Sequence, residues 1–316
     1  MMERVWYKVF GLIYILFTLP TLVIHLFVGI AICRIPTFRQ RITLRIMLFM
    51  GIADAIQTAI HLFTGFVVVF DKPIPENLNL ILGILIETAW ESMMFLQLFL
   101  ASNRLWIITQ TTISQENELE YFDTPIVVSY LSSFVYTFAY WKGGRFLHFD
   151  IDFMGWTGIG TDSKVVIFLA NGETFFMSFG GFLCIITALT LIYRRSHVGS
   201  MELRLFAQTC LIYFLSISNI ILWNLDWNGR VEIQALLNFE WILICILPPY
   251  LNLMMSSEIR RSLWRVFKAE KVSKVHTQAI TMVTRTKRMS VARVAIRNQT
   301  VQIWMVTVES DGRRTY

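Results

Sequence analysis

Charged side chains are scarce in this sequence. Of its 316 residues, 16% are charged and 55% are hydrophobic, and the mean hydropathy is +0.55. A soluble domain usually carries about a quarter charged residues, so this composition excludes an ordinary soluble globular protein. Spans of about 20 residues with connecting loops allow six to eight membrane helices in a chain of this length. The composition therefore predicts a polytopic membrane protein.

Cysteine and the common catalytic motifs are also scarce or missing. The four cysteines all fall inside or at the edge of apolar segments, so we expect no structural disulfide. The sequence has no HExxH, no GxSxG and no glycine-rich phosphate loop, and no two metal ligands at the tight, specific spacing of a known metal motif. We expect a protein that is not an enzyme, with no metal site, no other cofactor and no nucleic-acid partner.

What the chain does have is a series of seven long apolar runs. Each is long enough to span a bilayer, and in lipid the backbone must be helical to satisfy its own hydrogen bonds. We therefore predict an all-α fold, a seven-transmembrane helix bundle over residues 1–269. The predicted spans are about 9–33, 46–70, 80–110, 124–141, 165–193, 205–225 and 233–257.

Lysine and arginine are distributed unequally between the two sets of connections. The N-terminus and the connections on its side hold seven of the 28, and the other set holds the remaining 21. Because cytoplasmic loops carry the excess of these residues, we expect an extracellular N-terminus and a cytosolic C-terminus.

A basic segment follows the last span. Residues 257–268 place apolar side chains on one helical face and arginines elsewhere, with Ser257 as a possible cap, which predicts a short amphipathic helix on the membrane surface. The alternative is a mere extension of the seventh span. The tail, 270–316, is basic, and we expect it to be mostly disordered and attracted to the anionic inner leaflet. Ser290 follows Lys287-Arg288-Met289, which makes it a candidate site for a basophilic kinase, although such short matches often arise by chance.

Four glutamates inside the predicted spans are the candidate ligand-binding residues: Glu87, Glu91, Glu173 and Glu240. Charges inside a membrane are costly and usually face the bundle interior. Three of the four lie at similar depth on the third, fifth and seventh spans, which predicts an outward-facing cavity that favours a cationic or hydrogen-bond-donating ligand. Each acid could equally be a structural group that bridges helices. The outer connection, 142–164, alternates in part and predicts a hairpin over this cavity.

Three stretches carry a resemblance to a known family. RIMLFMGIADAIQ (45–57), FLASNRLW (99–106) and PPYLNLMMSSEIRRSL (248–263) resemble the nematode serpentine chemoreceptors of the Srt and Srx types, and the whole pattern resembles a rhodopsin-like G-protein-coupled receptor. The resemblance implies a chemosensory receptor in the plasma membrane, in a sensory cilium, that binds an extracellular small molecule or peptide and couples to a heterotrimeric G protein.

The resemblance also implies roles for individual residues. Asp54 would be a polar hub within the membrane. The candidates for G-protein coupling and switching are Asn103, Arg104, Arg194, Arg195, Tyr250 and Asn252. Several positions depart from the family pattern: Asn103 replaces an acid, Pro248 replaces an asparagine, and the sixth span has no proline. Without the resemblance, Arg104 would be explained as a boundary arginine that extends to the headgroups.

Two other classes of function remain open from the residues alone. The intramembrane acids are also compatible with a proton-coupled or other secondary transporter, although paired repeats and broken helices are not visible. A ligand-gated channel is a third class. An insect-type receptor channel would place the N-terminus inside, against the distribution of basic residues.

Overall fold

The structure is a computed structural model that describes residues 4–109, 115–160, 163–193, 200–223, 225 and 230–267. Within these residues the chain is mostly helical. The seven long helices are α1 (Arg4–Cys33), α2 (Ile42–Phe70), α3 (Glu76–Thr109), α4 (Gln115–Lys142), α5 (Lys164–Tyr193), α6 (Ser200–Trp223) and α7 (Val231–Met255). A short helix, α8 (Ser257–Phe267), follows α7, and a single 3-10 turn (Phe38–Gln40) precedes α2.

The chain divides into two units, of which the first is the helical bundle. Residues 1–264 form this bundle, and residues 265–316 form the second unit, described only over 265–267. The predicted phosphorylation site Ser290 and the rest of the basic tail lie outside the described residues.

The surface of the bundle is that of a membrane protein. Helices α1, α2, α3, α5, α6 and α7 are long and apolar enough to cross a bilayer. Large apolar side chains such as Leu12, Leu26 and Phe168 are exposed on their outer faces, while polar side chains such as Thr64 and Ser216 are buried inside. This distribution suits lipid as the solvent, because lipid accepts exposed apolar groups and leaves polar groups to pair within the protein. The chain is therefore a multi-pass membrane protein.

Helix α3 lies at the centre of the bundle, where it packs against α2, α4, α5, α6 and the first strand. Gly83 permits the closest of these approaches. A Cβ atom at this position would clash with the backbone carbonyl of Leu147. Any larger residue at position 83 would therefore push the strand away from α3.

The connection between α4 and α5 is an antiparallel hairpin of β1 (Arg145–Asp150) and β2 (Gly155–Gly160). The register pairs Arg145 with Gly160 and Phe149 with Trp156. Phe149, Met154 and Trp156 are buried against the helices. The predicted hairpin is thus confirmed. The expectation of an all-α fold is corrected: the described chain is mostly helical with one small sheet, because backbone groups in this connection pair with one another.

Candidate functional site

A cavity of about 120 Å³ lies at the end of the bundle that carries the hairpin, called here the hairpin end. Its walls come from α3, α4, α5, α6, α7 and β1. The acidic and basic groups among them are Glu87, Glu173 and Arg145. The aromatic residues that line it are Trp90, Tyr140, Trp141, Phe146, Trp223 and Trp241. The cavity therefore combines a mostly aromatic wall with a few ionisable groups, as small-molecule sites do.

The two acids of the cavity come from different helices. Glu173 of α5 accepts a hydrogen bond from the indole nitrogen of Trp90 on α3, at 2.9 Å between Nε1 and Oε1. Glu87, one turn before Trp90 on α3, interacts electrostatically with Glu173. Arg145 at the start of β1 is close enough to attract both carboxyl groups. This site thus holds two carboxyl groups and one guanidinium.

The other two predicted glutamates do not line this cavity. Glu91 is 1% exposed within the bundle, and its Oε1 atom has no hydrogen-bond partner among the described residues. Glu240 accepts hydrogen bonds from Ser218 and Asn219 of α6, at 2.6 and 3.4 Å. The structure therefore brings two of the three acids of similar depth into one cavity, while Glu240 bridges α7 to α6.

Three tryptophans connect the cavity to the interior of the bundle. The ring of Trp241 on α7 lies 5.4 Å from that of Trp90 on α3 and 6.1 Å from that of Trp223 on α6, each edge to face. The indole nitrogen of Trp241 donates to Gln57 on α2 at 2.7 Å. A shift of Trp241 would consequently change contacts with α2, α3 and α6 as well as the position of its own helix, α7. We call Trp90, Trp223 and Trp241 the tryptophan cluster.

The hairpin is held over the cavity by side chains from three helices. Asn79 of α3 both donates to the carbonyl of Phe149, at 2.9 Å, and accepts from its backbone N–H, at 2.8 Å. The amides of Gln234 and Asn238 on α7 donate to the carbonyls of Trp156 and Met154. The hydroxyl of Tyr14 on α1 lies within hydrogen-bonding distance of the Met154 carbonyl. These bonds fix the hairpin without a disulfide, since all four cysteines are free.

Deeper in the bundle, α2 carries buried polar groups. Asp54 is fully buried, and neither of its carboxyl oxygens has a hydrogen-bond partner within the described chain. His61, also fully buried, packs edge to face on Trp241 with ring centroids 5.4 Å apart. Gln57, on the same helix, accepts a hydrogen bond from Trp241 of α7. Asp54 thus lies in the centre of the membrane part, between the cavity and the opposite end.

The predicted coupling residues lie towards the end that carries α8, called here the α8 end. Asn103 donates to the hydroxyl of Thr43 on α2 at 3.1 Å, and Arg104 beside it is 2% exposed. Asn252 of α7 accepts from Gln208 of α6 at 2.7 Å. Tyr250 instead packs in a separate cluster with Tyr14 and Ile242. Arg194 and Arg195 lie outside the described residues.

Helix α8 packs against the ends of α1 and α2. Ile259 is fully buried in a cluster with Val28, Ile32 and Leu44, and Ser262 donates to the carbonyl of Ala31 at 2.7 Å. The cap of α8 is the hydroxyl of Ser256, which accepts from the backbone N–H of Ile259 at 3.2 Å. The expected cap at Ser257 was therefore wrong by one residue.

A second cavity, of about 880 Å³, lies between α1, α2, α6 and α7 with Leu100 of α3. Its lining is mostly aliphatic and includes Leu26 and Ile52, which are also exposed on the outer face of the bundle. A space of this kind suits lipid chains more than a polar ligand, because few polar groups are available to orient one.

Sequence reasoning missed the aromatic walls, the tryptophan cluster and the anchors of the hairpin. The signal for the walls was present, since Trp90 lies one turn from Glu87 and Trp241 directly follows Glu240. Nothing in the sequence marked Asn79, because its partner is the backbone of a residue 70 positions away.

Comparison with known proteins gives a structural match. Squid rhodopsin has a similar structure, with a TM-score of 0.65 over 86% of this chain and 88% of that one, at 10% sequence identity. At this identity the likeness shows the fold alone, which is that of a rhodopsin-like seven-helix bundle. No protein-family profile and no curated protein sequence matches the chain.

Proposed function

We propose that this protein is a chemosensory G-protein-coupled receptor of the plasma membrane. The observation that carries the proposal is the arrangement of two sites in a rhodopsin-like bundle. A covered cavity with ionisable and aromatic walls lies at the hairpin end, and a cluster of buried polar side chains lies towards the α8 end. We assign the first to an extracellular ligand and the second to a heterotrimeric G protein.

The proposed orientation places the hairpin end outside and the α8 end in the cytosol. It is supported by the excess of lysine and arginine in the connections of the α8 end. The likeness of three stretches to nematode serpentine chemoreceptors supports a sensory location. Antibody access to an N-terminal tag on intact cells tests the orientation, and a tag that is reached only after permeabilisation contradicts it.

The proposed mechanism is a shift between two helix arrangements. A ligand in the cavity touches α3, α5, α6 and α7, so it binds better to the arrangement in which those helices fit it. Trp241 extends this preference to α2 through its hydrogen bond to Gln57. The favoured arrangement then sets the cytosolic ends of the same helices, which is a coupling free energy between two sites.

At the α8 end we assign the partner surface to Arg104, its neighbour Asn103, the Gln208–Asn252 pair and α8. Arg104 is buried, so a change in helix arrangement is needed to present its guanidinium to a partner. Arg194, Arg195 and Tyr250 extend this surface in the proposal. The basic tail would bind the anionic inner leaflet, and Ser290 would be phosphorylated there, which would weaken that attraction.

The test compares Arg104→Ala with the wild-type receptor. Both are placed in lipid nanodiscs with heterotrimeric G proteins, and nucleotide exchange is measured across a panel of volatile and small polar compounds. We expect at least one compound to raise exchange on the wild type and to lose most of that effect on Arg104→Ala. The matched control is Arg230→Ala, since Arg230 is an exposed arginine at the hairpin end. Unchanged exchange on Arg104→Ala, at an equal amount of folded receptor in the nanodiscs, contradicts the role of Arg104.

A further inference from the structure

Acidic side chains outnumber basic ones in the lining of the cavity. Glu87 and Glu173 line it together with one basic residue, Arg145. A carboxylate without a partner is costly in the membrane part of a protein, and it is normally matched by a positive group. A positively charged ligand would supply such a partner.

The walls of the cavity suit the same kind of ligand. Six aromatic residues surround the carboxyl groups, and the faces of aromatic rings attract cations. One of these rings already does so within the protein: the ammonium of Lys142 lies 4.9 Å from the ring centroid of Trp141.

The arrangement of Glu173 leaves it able to accept further hydrogen bonds. Trp90 donates to one oxygen of its carboxyl group, which fixes the group on the cavity wall. An ammonium group has up to three N–H donors and no acceptor. It can therefore donate to the acceptor sites of the cavity acids that Trp90 leaves open.

The size of the cavity limits the ligand. Its volume of about 120 Å³ is below the roughly 300–1,000 Å³ of pockets that hold drug-sized ligands. The hairpin also covers it, anchored by Asn79 and by α7. A peptide is too large for this space, whereas an alkylammonium of a few carbons is not.

We propose that the cavity binds a small organic monocation, an amine in its ammonium form, held by Glu87 and Glu173 against the aromatic wall. This proposal rests on the proposed receptor function, because it names the ligand class of that receptor's cavity. Arg145 is close enough to attract both carboxyl groups, so its guanidinium competes with the ligand for them.

The experiment measures binding to purified receptor in nanodiscs, without a G protein. The probes are n-butylammonium, 1-butanol and butyrate, which share a carbon chain and differ in charge, and the readout is the shift of the thermal unfolding midpoint with concentration. We expect n-butylammonium to stabilise the receptor at concentrations where the other two do not.

Variants locate the binding site. Loss of one charge-assisted hydrogen bond weakens binding by about tenfold or more, so we expect Glu173→Gln and Glu87→Gln to lose at least that much affinity for n-butylammonium. The matched control is Glu232→Gln, since Glu232 is an exposed acid in the first turn of α7 and does not line the cavity. Arg145→Gln removes the competing cation and is expected to raise the affinity, which keeps the test informative if an acid variant does not fold.

Equal stabilisation by 1-butanol or butyrate overturns the proposal. So does a Glu232→Gln variant that loses as much affinity as Glu173→Gln, or an Arg145→Gln variant that binds more weakly. Signalling by neutral compounds without any ammonium binding would overturn this ligand class and leave the receptor function standing. Ammonium binding that never alters nucleotide exchange would leave the ligand class standing and contradict the receptor function.

Discussion

The side chain of Asn79 anchors the hairpin to α3. Its amide satisfies both the N–H and the carbonyl of Phe149 in the hairpin, and it is only 1% exposed. Without it, two buried backbone groups would lose their partner. Each such group costs about 1–3 kcal/mol when left unsatisfied.

We therefore predict that Asn79→Ala destabilises the receptor by about 2–6 kcal/mol, the sum for two unsatisfied groups, and loosens the hairpin over the cavity. Thermal unfolding in nanodiscs and hydrogen exchange of the hairpin amides measure both effects. The matched control is Asn77→Ala, since Asn77 lies on the same helix and is exposed. Equal unfolding midpoints for the two variants would show that the Asn79 bonds are not needed.

Residues of this kind also mark where sequence reasoning fails. The intramembrane acids could be found from the sequence, because a charge within an apolar run is visible without any partner. Whether an acid faces the cavity could not, since the hydrogen bonds of Glu240 to Ser218 and Asn219 depend on how α7 and α6 are rotated. The cap of α8 at Ser256 instead of Ser257 is a smaller case of the same kind, because either serine fits the sequence pattern.

At the scale of elements, α8 is held by two kinds of contact of unequal strength. Arg41 forms an ion pair with Glu258 at 2.8 Å, but both side chains are more than a third exposed. Such pairs contribute about 0–1 kcal/mol. Ile259, in contrast, is fully buried against α1 and α2, and truncation of a buried isoleucine to alanine costs about 2–5 kcal/mol.

We predict that Ile259→Ala releases α8 from the bundle, whereas Glu258→Ala leaves it in place. Hydrogen exchange of the α8 backbone amides distinguishes the two, with much faster exchange expected in Ile259→Ala alone. The same variant is expected to weaken G-protein activation, because α8 forms part of the proposed partner surface. If Glu258→Ala frees α8 as strongly as Ile259→Ala does, the ion pair is the dominant contact and this ranking is wrong.

The apolar runs of the sequence predicted the existence and order of the long helices, because lipid forces a spanning segment to be both apolar and helical. The runs do not mark where the helices end. Helix α4 begins at Gln115, within an acidic segment, and α1 begins at Arg4. A helix keeps its backbone hydrogen bonds whether or not its outer turns are apolar, so hydropathy marks only the part that must lie in lipid.

The bundle has a cavity at one end, with the tryptophan cluster beside it, and buried polar pairs towards the other end. Its resemblance to rhodopsin-like receptors could be inferred from spans, charges and three local stretches, and the structural match to squid rhodopsin confirms the architecture. The nematode serpentine assignment stays a prediction. In the proposed mechanism, coupling between the ends depends on contacts such as that of Trp241 with Gln57. These contacts join residues 184 positions apart in sequence, which no local sequence pattern indicates.

Communication between the two ends can be measured by filling the cavity. Ala170 lines it from α5, so Ala170→Phe places a ring where the ligand would bind. Val128→Phe is the control, since Val128 is exposed on the outer face of α4. G-protein nucleotide exchange is measured for both variants and the wild type in nanodiscs, with the active compound from the panel.

A receptor predicts that nucleotide exchange on the wild type rises with the compound and that the Val128→Phe control behaves in the same way. It also predicts that Ala170→Phe has lost at least most of this rise or has become active without the compound. Exchange that never rises on the wild type, or that rises equally on Ala170→Phe, would contradict a cavity that controls the opposite end of the bundle.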